Sequence, residues 1–281
     1  MKNRLIFLVG PPAIYMLVFF LLPLGIMAVY SLRAGGVGTG FESFTLINYQ
    51  KYLANSSFHR LLWRSLLIAF GIGVISVILA YPLAYYLAFK AGTKRVTLLT
   101  LILVPTWTSY LLRIFSWKII LGTNGLLNTF LLWLGVIDKA SPILLYSRMA
   151  VMVTLVYVWV PFVALPIFAA LERIDRSLLE AAADLGCKPW LAFMRVTLPL
   201  SLPGVFAGFF FAMIPTVGEF VTPLLVGGGQ GAMYGNLIQD QFTRALNWSM
   251  GSVMSIAMLL VVFILILILS RVAGKARLLD F

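Results

Sequence analysis

The chain has 281 residues, 62% of them hydrophobic and only 11% charged, against roughly 25% charged in soluble domains, so it reads as an integral membrane protein and not as a soluble enzyme or binding module. At roughly 20 apolar residues per crossing there is room for about six spanning helices and their loops. The net charge of +12 comes from basic residues scattered along the ends of apolar runs, a distribution that excludes a nucleic-acid-binding face.

The first apolar run extends from behind Met1-Lys2-Asn3-Arg4 to about Tyr30. It is longer than a signal h-region and lacks a clean cleavage site, so it reads as an uncleaved span, kinked at Pro11, Pro12 and Pro23. Residues Arg33 to Arg64 form an external loop with a flexible start (Gly35, Gly36, Gly38, Gly40) and a more ordered middle from Phe44 to Tyr49. Leu66 to Phe89 is the second span, Val96 to Leu121 the third, and Met149 to Leu171 the fourth. Gly122 to Ser147 is too polar and broken to cross, with a short helix over Leu126 to Val136 lying against the bundle or at the interface. Leu198 to Val226 is the fifth span and Met250 to Leu269 the sixth, before the basic tail Arg271, Lys275, Arg277. The run Gly227-Gly228-Gly229-Gln230-Gly231 lacks the Lys-Ser/Thr of a phosphate loop and reads as a flexible external turn. With the N-terminus inside, the inner segments carry twelve Lys and Arg against seven on the longer outer loops, which places both termini in the cytoplasm.

Between the fourth and fifth spans lies the only long polar, helix-favouring passage, Glu180-Ala181-Ala182-Ala183-Asp184-Leu185-Gly186, followed by Val196-Thr197-Leu198-Pro199. Gly186 suits a left-handed helix end and Pro189 the start of a second helix, so the passage predicts helix, turn, helix. Ala181, Ala182, Leu185, Leu191, Phe193 and Met194 give this hairpin an apolar side of its own. Cys187 is the sole cysteine and His59 the sole histidine, so neither a disulfide nor a thiolate metal cage forms within the chain.

Glu180 to Pro199 resembles, at every marked position, the signature loop of permease subunits of ABC importers. The resemblance implies an all-α membrane protein with six transmembrane helices and the type I permease fold. It implies a leading helix and external loop over 1–64, a core over 65–270, a basic cytoplasmic tail over 271–281, and a coupling-helix loop between spans 4 and 5. It also implies that two permease subunits pair, each loop docking into a cleft on a cytoplasmic ATPase, with an external solute-binding protein delivering the cargo. Glu180 would then be the charged contact, Ala181 and Ala182 the close-packing face, and Gly186 the bend; Asp184, Leu198 and Pro199 complete the loop. ATP and magnesium would belong to the partner ATPase, leaving this chain without catalytic residue, metal or cofactor in the inner (plasma) membrane of a bacterium. Val104-Pro105-Thr106-Trp107-Thr108-Ser109, Gly122, Gly125-Leu126-Leu127-Asn128, Gly218-Glu219-Phe220-Val221 and Asn247-Trp248 are similar to the spermidine/putrescine branch, which usually pairs two different permeases.

Glu219 is a carboxylate within a span, costing about 2–3 kcal/mol on insertion scales, and such residues are functional candidates by default. Three readings stand open: an ion pair with Arg113, a gate carboxylate meeting a cationic substrate, or a group bathed in water near the outer surface. Trp107, Tyr110 and Trp117 either offer cation–π surfaces of roughly 0.5–2 kcal/mol to an amine in transit or serve as interfacial and packing aromatics. Other solutes (iron, thiamine, phosphonate, opine or amino-acid-like) are the alternatives, as are a secondary transporter, for which no half-to-half repeat is visible, and a membrane-embedded scaffold or sensor.

Overall fold

A computed structural model describes residues 10–34, 43–141 and 144–278, with backbone alone for 272–278. The described residues are helices and loops apart from one isolated antiparallel bridge, Arg33 with Phe44. Gly35, Gly36, Gly38 and Gly40 of the expected flexible loop lie outside them. Five helices are long and apolar enough to span a membrane, and six spans result when one sharply bent pair counts as a single crossing.

The chain divides into two units. The first joins residues 1–61 to 237–261. Its helix α1 (Gly10–Ser31) has no buried residue in its apolar window and widens into a π turn at Leu17–Leu21, just ahead of Pro23, which has no N–H for the Phe19 carbonyl. Helix α2 (Ile47–Ala54) is held beneath it: Asn48 donates from Nδ2 to the Arg33 carbonyl at 2.9 Å, and the Ser31 and Tyr49 hydroxyls are 2.8 Å apart. Trp248 packs on Tyr30 and on Phe242.

The second unit comprises residues 62–236 and 262–281. It contains most of α3 (Ser56–Phe89), then α4 (Arg95–Leu103), α5 (Tyr110–Leu121), α6 (Leu126–Trp133), α7 (Arg148–Glu172), α8 (Arg176–Asp184) and α9 (Pro189–Val217). Helix α10 (Tyr234–Thr243) and the last spanning helix, α11 (Trp248–Leu278), each run from one unit into the other. Small residues set the packing of this unit. A Cβ on Gly204 would fall 2.4 Å from the Pro166 carbonyl oxygen and 2.5 Å from Ala170 Cβ, and one on Gly208 would fall 3.0 Å from Val163. Helices α7 and α9 therefore meet backbone to backbone, the close approach that lipid-embedded helices use where no hydrophobic drive between them exists.

Four expectations require correction. The second span begins ten residues early, at Ser56, so Arg60 and Arg64 belong to a helix and not to a loop. The third span is not one helix: α4 ends in a short 3₁₀ turn at Val104–Trp107, Thr108 and Ser109 are extended, and α5 leaves at 87°. Pro105 has no amide to continue the hydrogen bonds of α4, whose end tightens into the 3₁₀ turn, and the chain then breaks at the extended Thr108 and Ser109. The fifth span stops at Val217, short of Val226, because Gly218 ends the helix. Finally, the glycine-rich run is no free turn: Gly227 and Gly231 are buried, and Cβ atoms on Gly227 and Gly228 would lie 2.8 Å from Val151 and Tyr146. Arg148 Nε donates to the Gln230 carbonyl at 3.0 Å, Arg64 donates to the Ala232 carbonyl, and the Tyr234 amide donates to Ser65 Oγ at 2.8 Å.

Replacing Gly204 by Val inserts a branched side chain where backbones touch. The expected cost is about 1–3 kcal/mol, read as a lower Tm of the detergent-solubilised protein; an unchanged Tm would mean that α7 and α9 do not meet so closely.

Candidate functional site

Two constellations stand at different levels of the second unit. The first is the hairpin at the end of α7. Asp175 caps α8, its carboxylate accepting the Ser177 amide at 3.0 Å; that hydrogen bond holds its carboxyl below the usual range. The cap is therefore complete at neutral pH and is lost as pH falls through this depressed value. At the other end Gly186 takes φ +74°, its amide donating to the Ala183 carbonyl at 2.9 Å while the Cys187 amide donates to Ala182 at 3.0 Å. This double closure is a Schellman motif, and its left-handed position favours glycine. Pro189 opens α9 as expected, and a π turn at Phe193–Thr197 carries it into the membrane. Leu198 and Pro199 thus lie within a long helix, past the hairpin proper.

Around the bend the side chains stand open. Glu180, Ala181 and Asp184 are exposed and Ala182 is half-buried. Leu185 is 88% exposed and Trp190 67%. Glu180 has no ion pair among the described residues. An apolar edge beside an unpaired carboxylate is a surface suited to docking.

The second constellation lies where the third and fifth spans are both interrupted. Glu219 follows the end of α9, and its Oε1 accepts the amides of Val221 and Thr222 at 2.9 and 3.0 Å, starting the helical turn beyond the break. Its Oε2 accepts the Tyr110 hydroxyl at 2.8 Å. Because that phenol has a single proton, the Thr222 hydroxyl, 2.8 Å away, donates to Tyr110 in turn. Asn236 ties in the next turn, donating to the Phe220 carbonyl at 2.7 Å and accepting the Met233 amide at 2.9 Å. The Glu219–Arg113 ion pair is not formed: among the described residues Glu219 has no salt bridge, and Arg113 instead places its guanidinium 5.9 Å from the Tyr110 ring centroid. Glu219 is half-buried, with three donors around it.

Beside this knot opens a cavity of about 540 Å³ between α3, the broken third span and α7, with Ile75, Thr106, Arg113, Trp117 and Tyr157 among its walls. Trp117 meets Tyr157 edge-on at 5.5 Å. Arg113 is half-buried, and its Nε has no hydrogen-bond partner. Trp107, by contrast, is 77% exposed and does not line this cavity.

Residues 80–280 match the family described as binding-protein-dependent transport system inner membrane component. The chain belongs to this family. It is a permease subunit, a multi-pass component of the inner membrane. It is 40% identical over 229 residues, 81% of this chain and 82% of the other, to the spermidine/putrescine transport system permease protein PotB of Escherichia coli (strain K12). It is 35% identical to the protein of the same name from Haemophilus influenzae, over 92% of this chain and 90% of that one. Its fold matches a solved bacterial ABC transporter involved in the import of the acidic polysaccharide alginate, with a TM-score of 0.75 over 98% of this chain and 96% of the other, at 14% identity.

The branch-type residues find their use in the permease. Gly125 leaves no room for a Cβ, which would fall 2.3 Å from the Ile119 carbonyl oxygen. Asn128, fully buried, donates to the Gly122 and Ser141 carbonyls and accepts the Ser141 amide, closing the segment after α5. Sequence reasoning missed Thr222 and Asn236, which carry no signal by spacing, and also Arg64 and Arg148, whose signal was an arginine at the edge of an apolar run.

Changing Tyr110 to Phe removes the donor to Glu219 and leaves the packing intact. Loss of a hydrogen bond to a charged group costs about 1.5–3 kcal/mol, so the variant melts earlier and transports more slowly; wild-type behaviour in both assays would show that the knot is incidental.

Proposed function

We propose that this permease is one of two transmembrane subunits of an ATP-driven importer that carries a polyamine, putrescine or spermidine, into the cell by alternating access. The exposed hairpin Arg176–Gly186 carries the ATP-coupled part of this reading. A buried Schellman turn would serve stability alone, whereas this one presents Glu180, Ala181 and Leu185 outward, as a docking element must. Two ATPase subunits would supply ATP, magnesium and the hydrolytic residues, with one hairpin seated on each. The excess of Lys and Arg on the segments facing the hairpin side supports cytoplasmic termini and a cytoplasmic ATPase.

A second, related permease chain completes the pathway, and an external binding protein delivers the solute. The polyamine assignment is supported by the similarity to permeases named for spermidine and putrescine. The cavity is consistent with it: the aromatic rings of Trp117 and Tyr157 line it, and a ring face attracts a cation in transit. Glu219, already occupied by three donors, serves to anchor the two helix breaks and would expose its charge only when the breaks part.

Uptake of labelled putrescine and spermidine in cells carrying the other transport subunits should require this chain. Glu180→Ala and Gly186→Val should each reduce it by more than about tenfold, the coupling energies of such systems being on the order of 1–3 kcal/mol, with the subunit still at its normal level in the membrane. Normal uptake by both variants would remove the coupling role. Loss of uptake for another solute, with polyamine uptake untouched, would move the cargo assignment and leave the coupling intact.

A further inference from the structure

The hairpin must pass its displacement to the cavity wall, and the structure offers a route that the proposed docking does not itself specify. Arg95, the first residue of α4, forms an ion pair with Glu172, the last residue of α7, at 2.6 Å. Only Arg173, Ile174 and Asp175 separate Glu172 from the start of α8. The corner is firm, since Leu171 and Ile174 are buried in one core with Ala80, Ala84 and Ala212. Helix α4, within this chain, has no buried residue. It is bounded by Gly92, in the left-handed region at φ +54° with open space around it, and by the break at Thr108–Ser109. Beyond its far end follow Pro105 and Thr106, which line the cavity, and then Tyr110, which holds Glu219.

We propose that the Arg95–Glu172 pair is the positioning contact that couples the hairpin to the broken third span. Helix α4 has no buried residue within this chain, and this pair ties its first residue to the corner that leads into α8. Its partners are 49% and 41% exposed. A pair this open to water is worth no more than about 1 kcal/mol, enough to bias the position of α4 by a few-fold and too little to hold the fold together. Motion of the α7–α8 corner would draw Arg95, tilt α4 about Gly92, and displace Pro105 and Thr106 at the cavity wall. This inference rests on the docking of α8 to an ATPase.

The test is charge reversal in the complete complex reconstituted in proteoliposomes: this permease, its paired permease, the ATPase and the putrescine-loaded binding protein. Arg95→Glu and Glu172→Arg should each retain basal ATP hydrolysis while stimulation by the binding protein falls at least about fivefold, the lower range of ordinary coupling factors. The double reversal R95E/E172R should restore it to within about twofold of wild type. A merely structural role would lower assembly and basal hydrolysis together. Should a reversal variant not assemble, Glu172→Gln, which adds no repelling charge, carries the test through the same stimulation ratio. Undiminished stimulation in the single variants, or a double reversal as defective as either, overturns the proposal. Failure of the underlying readings looks different: Glu180→Ala would leave stimulation intact if docking were wrong, and the wild-type complex would take up no putrescine if the cargo were wrong.

Discussion

A carboxylate between membrane-spanning helices has to find donors within the protein, because lipid offers none. Glu219 finds three, two from the backbone just after it and one from Tyr110 on another span. Much of the second unit follows from this requirement. The two amides are free to donate only because α9 has ended at Gly218 and a new turn begins, so the interruption of the fifth span and the satisfaction of the carboxylate are one event. Tyr110 in turn reaches Glu219 from the first residue of α5, immediately after Pro105 and the extended Thr108–Ser109 have turned the chain. Two interruptions, each costly in a membrane, hold each other's loose groups.

The same logic separates the two constellations by what they leave unsatisfied. The knot at Glu219 is closed; the cavity next to it is not, with an apolar wall, two aromatic rings and an Arg113 Nε lacking a partner. The hairpin is satisfied along its backbone, capped by Asp175 at one end and by the Gly186 turn at the other, yet its side chains are left open. The proposed coupling calls for this division: rigid backbone where force would enter, and open surface where partner and cargo would be met. In the proposed route, helix α4, joined to the α7 corner through Arg95, links that corner to the cavity wall.

Membership of the permease family and the shape of the hairpin were legible in the sequence for the same reason. The left-handed glycine and the proline at a helix start depend on residues within one or two turns of each other, so Gly186 and Pro189 announce the turn without reference to the rest of the fold. The number of crossings was legible from apolar length. What composition could not show was continuity: an apolar run reads the same whether it is one helix or two, and Val96 to Leu121 conceals a bend of 87°. Buried glycines misled in the opposite direction, since Gly227 to Gly231 reads as a mobile turn until Tyr146, Val151 and the arginines Arg64 and Arg148 are placed against it.

Sequence by itself thus determined the membrane class, the spans' approximate places and the helical hairpin after the fourth span, each set by local chemistry or by segment length. Tertiary structure decided the partner of Glu219. Proximity in the chain carries no information about which of several polar side chains, about a hundred residues away, will arrive with a proton to donate; Arg113 had the complementary charge, but Tyr110, three residues earlier and at the head of the helix, had the position.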